Sequence, residues 1–140
     1  MLLPKKVKFR KWQTSRKSAS KMQSGKETRG LTVAFGSYGL KATTAGRIKS
    51  NQIESARKVA TRTATKAGRI WIRIFPDRPF TAKPAEVGMG KGKGDPQGYC
   101  VEVFPGRVLF EVDGIPEALA KEALRKAGTK LPVKTRVVAR

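Results

Sequence analysis

Hydrophobic positions recur along the chain with two different periods, and the switches between them divide it into elements. From Ser50 onward Ile53, Ala56, Val59, Ala60, Thr63, Ala64 and Ala67 return every three or four residues, the spacing of one helical face. Ser50 reads as the N-cap of that helix and Gly68 as its stop. A second helix opens at Pro116 and Glu117, runs through Ala120, Ala123, Leu124 and Ala127, and ends at Gly128. Period-two alternation marks short strands at 31–36 (LTVAFG) and 38–43 (YGLKAT), split by a Gly-Ser turn signal. IWIRIF at 70–75 puts Ile70, Ile72 and Ile74 on one face and Trp71, Arg73 and Phe75 on the other, which predicts a central strand covered on both sides. YCVEVF at 99–104 and RVLFEV at 107–112 flank Pro105 and Gly106 and predict a tight antiparallel hairpin, and PVKTRVV at 132–138 predicts a last strand.

Strands interrupted by two helices give an α+β class: a mixed, mainly antiparallel sheet with two packed helices. At 140 residues one domain is expected. Neither period is present in residues 1–29, which read as an arm preceding a domain at 30–140, nor in 76–98, which read as a protruding loop of a length that usually works or is disordered.

Charge changes this picture from a fold to a partner. Lys and Arg number 31 against 10 Asp and Glu, a net charge of +21, and the isoelectric point is near 10.9. A self-repelling surface of that size needs an anionic partner, nucleic acid first and an acidic membrane second. The arm alone holds ten bases and one acid, Glu27. Its richness in Lys, Arg and Ser also resembles a transit peptide in composition. No run approaches the roughly 18 apolar residues of a membrane span, and MLLP turns basic before a signal-peptide core can form, so a soluble, cytoplasmic protein without membrane contact is expected.

With no histidine and the single cysteine Cys100, a His or Cys zinc site, a Ser-His-Asp triad and a Cys-His dyad are excluded within the chain. The carboxylates are scattered. Glu102, Glu111 and Asp113 alternate along strands and read as a solvated face, so no catalytic pair, no metal site and no enzyme is expected. MGKGKG at 89–94 fits neither G-x-G-x-x-G nor G-x-x-x-x-G-K-[ST] and leads to a strand rather than a helix, so no nucleotide cofactor is expected either.

Three groups of cations can meet phosphates instead. On the first helix Lys58, Arg62, Lys66 and Arg69 fall within about 80° of one another, opposite the apolar stripe, without the acids that usually relieve such a row. In the arm Lys5, Lys6, Lys8, Arg10 and Lys11 surround Phe9 and Trp12; Trp12 either stacks on an unpaired base or covers the domain's own core. In the loop, Lys91 and Lys93 of an extended MGKGKG would emerge on the same side roughly 6.6 Å apart, with glycines that let the backbone approach a partner. Without side chains to pack, tip and arm are expected to be held by a polyanion from outside. No RRM or KH signature is present, which favours recognition of shape and backbone.

PKKVKFRK at 4–11, FGSYGLKA at 35–42, QIESARK at 52–58, GRIWIRIFPDRPFTAKPAE at 68–86, MGKGKG at 89–94, PGRVLFEVDGIPEALAKEAL at 105–124 and KLPVKTRVV at 130–138 together resemble the family of bacterial large-subunit ribosomal protein sixteen. The match spans nearly the whole chain in the family's order. The resemblance implies an α+β fold and a structural role on 23S rRNA beside the 5S rRNA region and other large-subunit proteins, without homo-oligomerisation. It also implies support of late assembly and of the peptidyl transferase region. On that reading Lys5, Lys6, Lys8, Arg10, Lys11, Trp12, Lys58, Arg62, Lys66, Arg69 and Arg73 bind rRNA. Arg78, Lys83, Met89, Lys91 and Lys93 face tRNA in the A site and, at further reach, the P site, and the N-terminal arm is expected to extend toward tRNA as well. The arm belongs to the family pattern, which argues against a transit peptide. Two departures stand out. Gly88 occupies the position where family members commonly carry a hydroxylatable arginine, and TSRKSASKMQSGKET at 14–28 is longer than the usual connection. From other classes, a histone-like architectural DNA-binding protein shares the charge, and a phosphate-binding transferase using Lys91 or Lys93 is the remaining enzyme alternative.

Overall fold

A computed structural model describes residues 1–13 and 19–140 of the chain. A short helix α1 (Ala19–Ser24) is followed by β1 (Tyr38–Ala42), β2 (Gly46–Lys49), the long helix α2 (Ser50–Ala64), β3 (Arg69–Ile72), β4 (Arg78–Ala82), β5 (Asp95–Val103), β6 (Val108–Asp113), α3 (Glu117–Gly128) and β7 (Thr135–Ala139). The class is α+β, but the strands divide into two antiparallel sheets: β3-β6-β1-β7 and β2-β5-β4.

The helices form where the apolar period places them. Ile53, Ala56, Ala60 and Ala64 of α2 and Ala120, Ala123, Leu124 and Ala127 of α3 are all buried. Small side chains on both helices allow close approach, and they pack on each other; α3 also lies on β1, β6 and β7, and α2 on β2, β3 and β5. One continuous core results, with Leu40, Ile48, Ile53, Val103, Phe110, Val112 and Leu124 among its buried members. Helix ends differ from expectation by a residue or a turn. Lys49 rather than Ser50 is the N-cap of α2, and the Ser50 hydroxyl donates instead to the Leu2 carbonyl at 2.5 Å, tying the chain's beginning to the helix. α2 stops at Ala64, before Gly68, because Thr65 turns to φ 60°.

Three strand expectations are corrected by this topology. The Pro105-Gly106 turn does not close a hairpin: β5 pairs with β2 and β4, whereas β6 pairs with β1 and β3, and the turn passes the chain from one sheet to the other. Gly106 serves that crossing with φ 104° and its N–H on the Ala42 carbonyl at 2.8 Å. β3 is an edge strand, not a central one, so Trp71 and Phe75 are only partly covered. Residues 31–36 are no strand; they cross the face of the β6 sheet that points away from the helices. There Gly36 comes so close that a Cβ would stand 2.5 Å from the Val112 carbonyl oxygen.

The stretch 76–98 is likewise not a loop throughout. Pro79 pairs with Tyr99 and Ala82 with Asp95, so β4 and the first half of β5 build a hairpin arm whose irregular tip is only 83–94. β2 had no counterpart in the sequence pattern, being four residues long with one buried side chain, Ile48.

Candidate nucleic-acid interface

The two long helices treat charge differently. On α3, Glu117 meets Lys121 at 2.5 Å and Glu122 meets Lys126 at 2.7 Å, so two of its three bases are paired with an acid one turn away. On α2, Glu54 takes a two-pronged contact from Arg57 at 3.0 and 2.6 Å, which holds its carboxyl down to about 2, but Lys58 and Arg62 are exposed and form no salt bridge among the described residues. Lys66 and Arg69 continue the row outside the helix, Lys66 in the turn after it and Arg69 as the first residue of β3. Their expected place on one helical face is therefore replaced by a strip that runs off the helix end onto the sheet edge.

In the arm Lys5, Lys6, Lys8 and Arg10 are exposed, with the Lys8 ammonium 5.6 Å from the Phe9 ring centroid. Leu2 packs on the core and anchors them. Residues 14–18, part of the long connection, lie outside the described residues.

Arm and hairpin tip meet. Gly90, Lys91 and Gly92 take φ of 94°, 54° and 93°, so the tip coils through the left-handed region and does not run extended. Lys91 and Lys93 are consequently unlike neighbours on one strand face. Lys91 is exposed, while the Lys93 ammonium donates to the Trp12 carbonyl and Lys11 donates to the Lys93 carbonyl at 3.3 Å. Lys83 donates to the Gly90 carbonyl and closes the coil, and Lys11 stands 3.9 Å from Asp95. The Arg78 guanidinium lies 5.6 Å from the Trp12 ring and 3.4 Å from Glu102, which also receives Arg47 at 3.0 Å. Tip and arm thus hold one another through the chain's own groups, contrary to the expectation that only an outside polyanion would. Met89, 92% exposed, stands at the apex. The structure brings Lys11, Trp12, Arg78, Lys83 and Lys93 into one cluster and leaves Lys58, Arg62, Lys66 and Arg69 as a second group spread over α2, the turn after it and the start of β3.

Arg73 has a different environment. Its partner Glu111 is fully buried, not on a solvated face as the alternation suggested. The carboxylate accepts the N–H groups of Ala34, Phe35 and Gly36 at 3.1, 2.6 and 2.8 Å and a further bond from the Arg73 guanidinium. Burial alone would push the Glu111 carboxyl up; the Gly36, Ala34 and Phe35 amides and Arg73 outweigh it and hold the carboxyl below its ordinary 4.5. Arg73 also lies 5.0 Å from the Phe35 ring, which stacks on Trp71 with centroids 6.3 Å apart. Sequence reasoning passed over Phe35, Trp71 and Phe75 as surface aromatics. The available signal was their alternation with Arg73, which looks like coverage on a central strand and becomes exposure at an edge. Cys100 is buried and its thiol is pushed up by desolvation, which makes it inert.

Residues 4–138 match the family model described as ribosomal protein L16p/L10e. The chain is 52% identical over 140 residues, all of its length and 97% of the relative's, to the large ribosomal subunit protein uL16 of Acidovorax sp. (strain JS42). No helix among the described residues is long and apolar enough to cross a membrane.

Proposed function

The chain belongs to the ribosomal protein L16p/L10e family, and from that premise we propose that it is a structural component of the large ribosomal subunit, held on 23S rRNA by two cationic surfaces. The first is the strip Lys58, Arg62, Lys66 and Arg69; the second is the arm with Lys5, Lys6, Lys8, Arg10 and Lys11. The observation that carries this reading is the contrast between α3, where Lys121 and Lys126 each meet a glutamate, and the row from α2 into β3, where Lys58, Arg62, Lys66 and Arg69 are exposed and make no salt bridge among the described residues. Unmatched cations in a row are what a phosphate backbone neutralises. Arg73 serves chiefly to fix residues 34–36 through Glu111. Family membership favours ribosomal RNA over the histone-like DNA alternative and a structural role over a transferase.

Replacing Lys58, Arg62 and Lys66 together by Ala weakens binding to a 23S rRNA fragment uniformly across sequences and lowers the salt slope by about 1 for each phosphate left without its cation. Filter binding at several salt concentrations measures this, with duplex DNA as competitor. Unchanged affinity, or better competition by DNA than by rRNA, contradicts the reading.

The tRNA-facing role belongs to the hairpin tip, with Lys83, Met89, Lys91, Lys93 and Arg78 at its base. Its support is position: the tip lies at the end of the β4–β5 hairpin, and Met89 and Lys91 are exposed there. A photo-crosslinking side chain at Met89 in assembled subunits is expected to label tRNA in the A site. Labelling of rRNA alone contradicts this part of the proposal.

A further inference from the structure

Where β3 runs on toward β4 alongside β5, a groove of about 820 Å³ opens at the surface. Trp12, Trp71 and Phe75 give it aromatic walls, Arg73 and Arg78 stand among them, and the carboxylates of Asp77 and Glu102 also line it. We propose that this groove is a stacking site for unpaired RNA nucleotides, separate from the phosphate-binding strip on α2. The inference rests on the RNA-binding function proposed above, and adds to it which part of an RNA is recognised and by which residues.

Three observations carry it. Aromatic rings and guanidinium planes alternate along one surface: Trp71 stacks on Phe35, Arg73 lies over Phe35, and Arg78 lies over Trp12. Such planes accept any base by stacking. The guanidiniums are fixed in orientation by buried or shielded acids, Arg73 by Glu111 and Arg78 by Glu102, so the platform is preformed. A neighbouring hollow of about 340 Å³ shares Trp12, Phe75 and Asp77 with the groove and adds Lys6, Lys8 and Phe9 of the arm. Bases can therefore enter between the rings while their phosphates remain in the hollow, where Lys6 and Lys8 outnumber the single carboxylate of Asp77. A duplex presents neither free base faces nor a single strand narrow enough to enter, so the groove selects unpaired nucleotides.

The chain has two tryptophans, and both line this groove, so their fluorescence reports on it directly. Titration of the full chain with an eight-nucleotide oligoadenylate is expected to quench tryptophan emission saturably and to shield the residual emission from acrylamide. A Trp71→Leu, Phe75→Leu double variant is expected to lose about 5- to 150-fold in affinity for the oligoadenylate, with duplex RNA affinity unchanged, and Trp71→Phe to retain most of the binding. Lys58→Ala with Arg62→Ala should do the reverse, weakening the duplex more. Oligoadenylate binding without quenching or shielding, or a double variant that binds it like the parent, overturns the stacking site while leaving the strip intact. Loss of duplex binding only in the groove variants would instead count against the strip. Should the double variant fail to fold, acrylamide shielding in the unaltered chain decides alone.

Discussion

Raising salt from 50 to 200 mM is expected to weaken binding of the free protein to a 23S rRNA fragment by about 10³- to 10⁵-fold, if about six to ten phosphates are neutralised. The number of phosphates follows from the two surfaces. The α2 strip offers Lys58, Arg62, Lys66 and Arg69, and the arm offers Lys5, Lys6, Lys8 and Arg10, all exposed. Lys11 and Lys93 belong to the latch between arm and tip, and Arg57, Arg73 and Arg78 are engaged with carboxylates, so they add little to the total unless RNA displaces their partners. A slope near zero in log affinity against log salt contradicts the electrostatic mechanism. A slope well above ten indicates that the internally paired cations are also recruited.

The second large effect is on stability. Glu111→Ala is expected to cost about 3–5 kcal/mol, the range for breaking a buried pair by removing one partner, measured by urea unfolding at neutral pH. The carboxylate is bonded by three backbone amides as well as Arg73, and all four donors are left without their acceptor at once. Arg73→Met is expected to cost less, because the carboxylate keeps its three amides and Arg73 is one-fifth exposed. Equal losses from the two substitutions would show that the ion pair, and not the amide nest, holds residues 34–36. The pH dependence has a definite sign. The folded carboxyl titrates below 4.5, so its contribution is present above that value and is lost as pH falls through the lower folded value. Glu111→Gln should flatten the acid limb of the stability curve.

Glu111 also illustrates what the sequence could and could not disclose. Alternation within VLFEVD puts the residue opposite Phe110, and on a sheet with one wet face that reads as solvent. The face is instead roofed by residues 31–36, whose own alternation imitates a strand although their amides bond a side chain rather than a neighbouring strand. Helices were legible because their apolar faces are set by local spacing, as Ala120, Ala123, Leu124 and Ala127 show. Sheet membership was not, since it depends on partners far apart in the chain: the Pro105-Gly106 turn satisfies the local chemistry of a hairpin, yet β5 and β6 go to different sheets. The same non-local fact made β3 an edge and brought Trp71, Arg73 and Phe75 out to the groove. Of the candidate site, the residue types and the absence of acids between Lys58 and Arg69 could be read directly. The latch joining Lys11 and Trp12 to Lys93 could not, because it links residues more than eighty positions apart.

Sedimentation of a cell lysate containing the tagged full-length chain tests most directly whether its surplus positive charge is matched by ribosomal RNA. Co-migration with the large subunit at moderate salt, with release only after a high-salt wash, is the expected result. A chain found solely among low-molecular-weight species at moderate salt would contradict it.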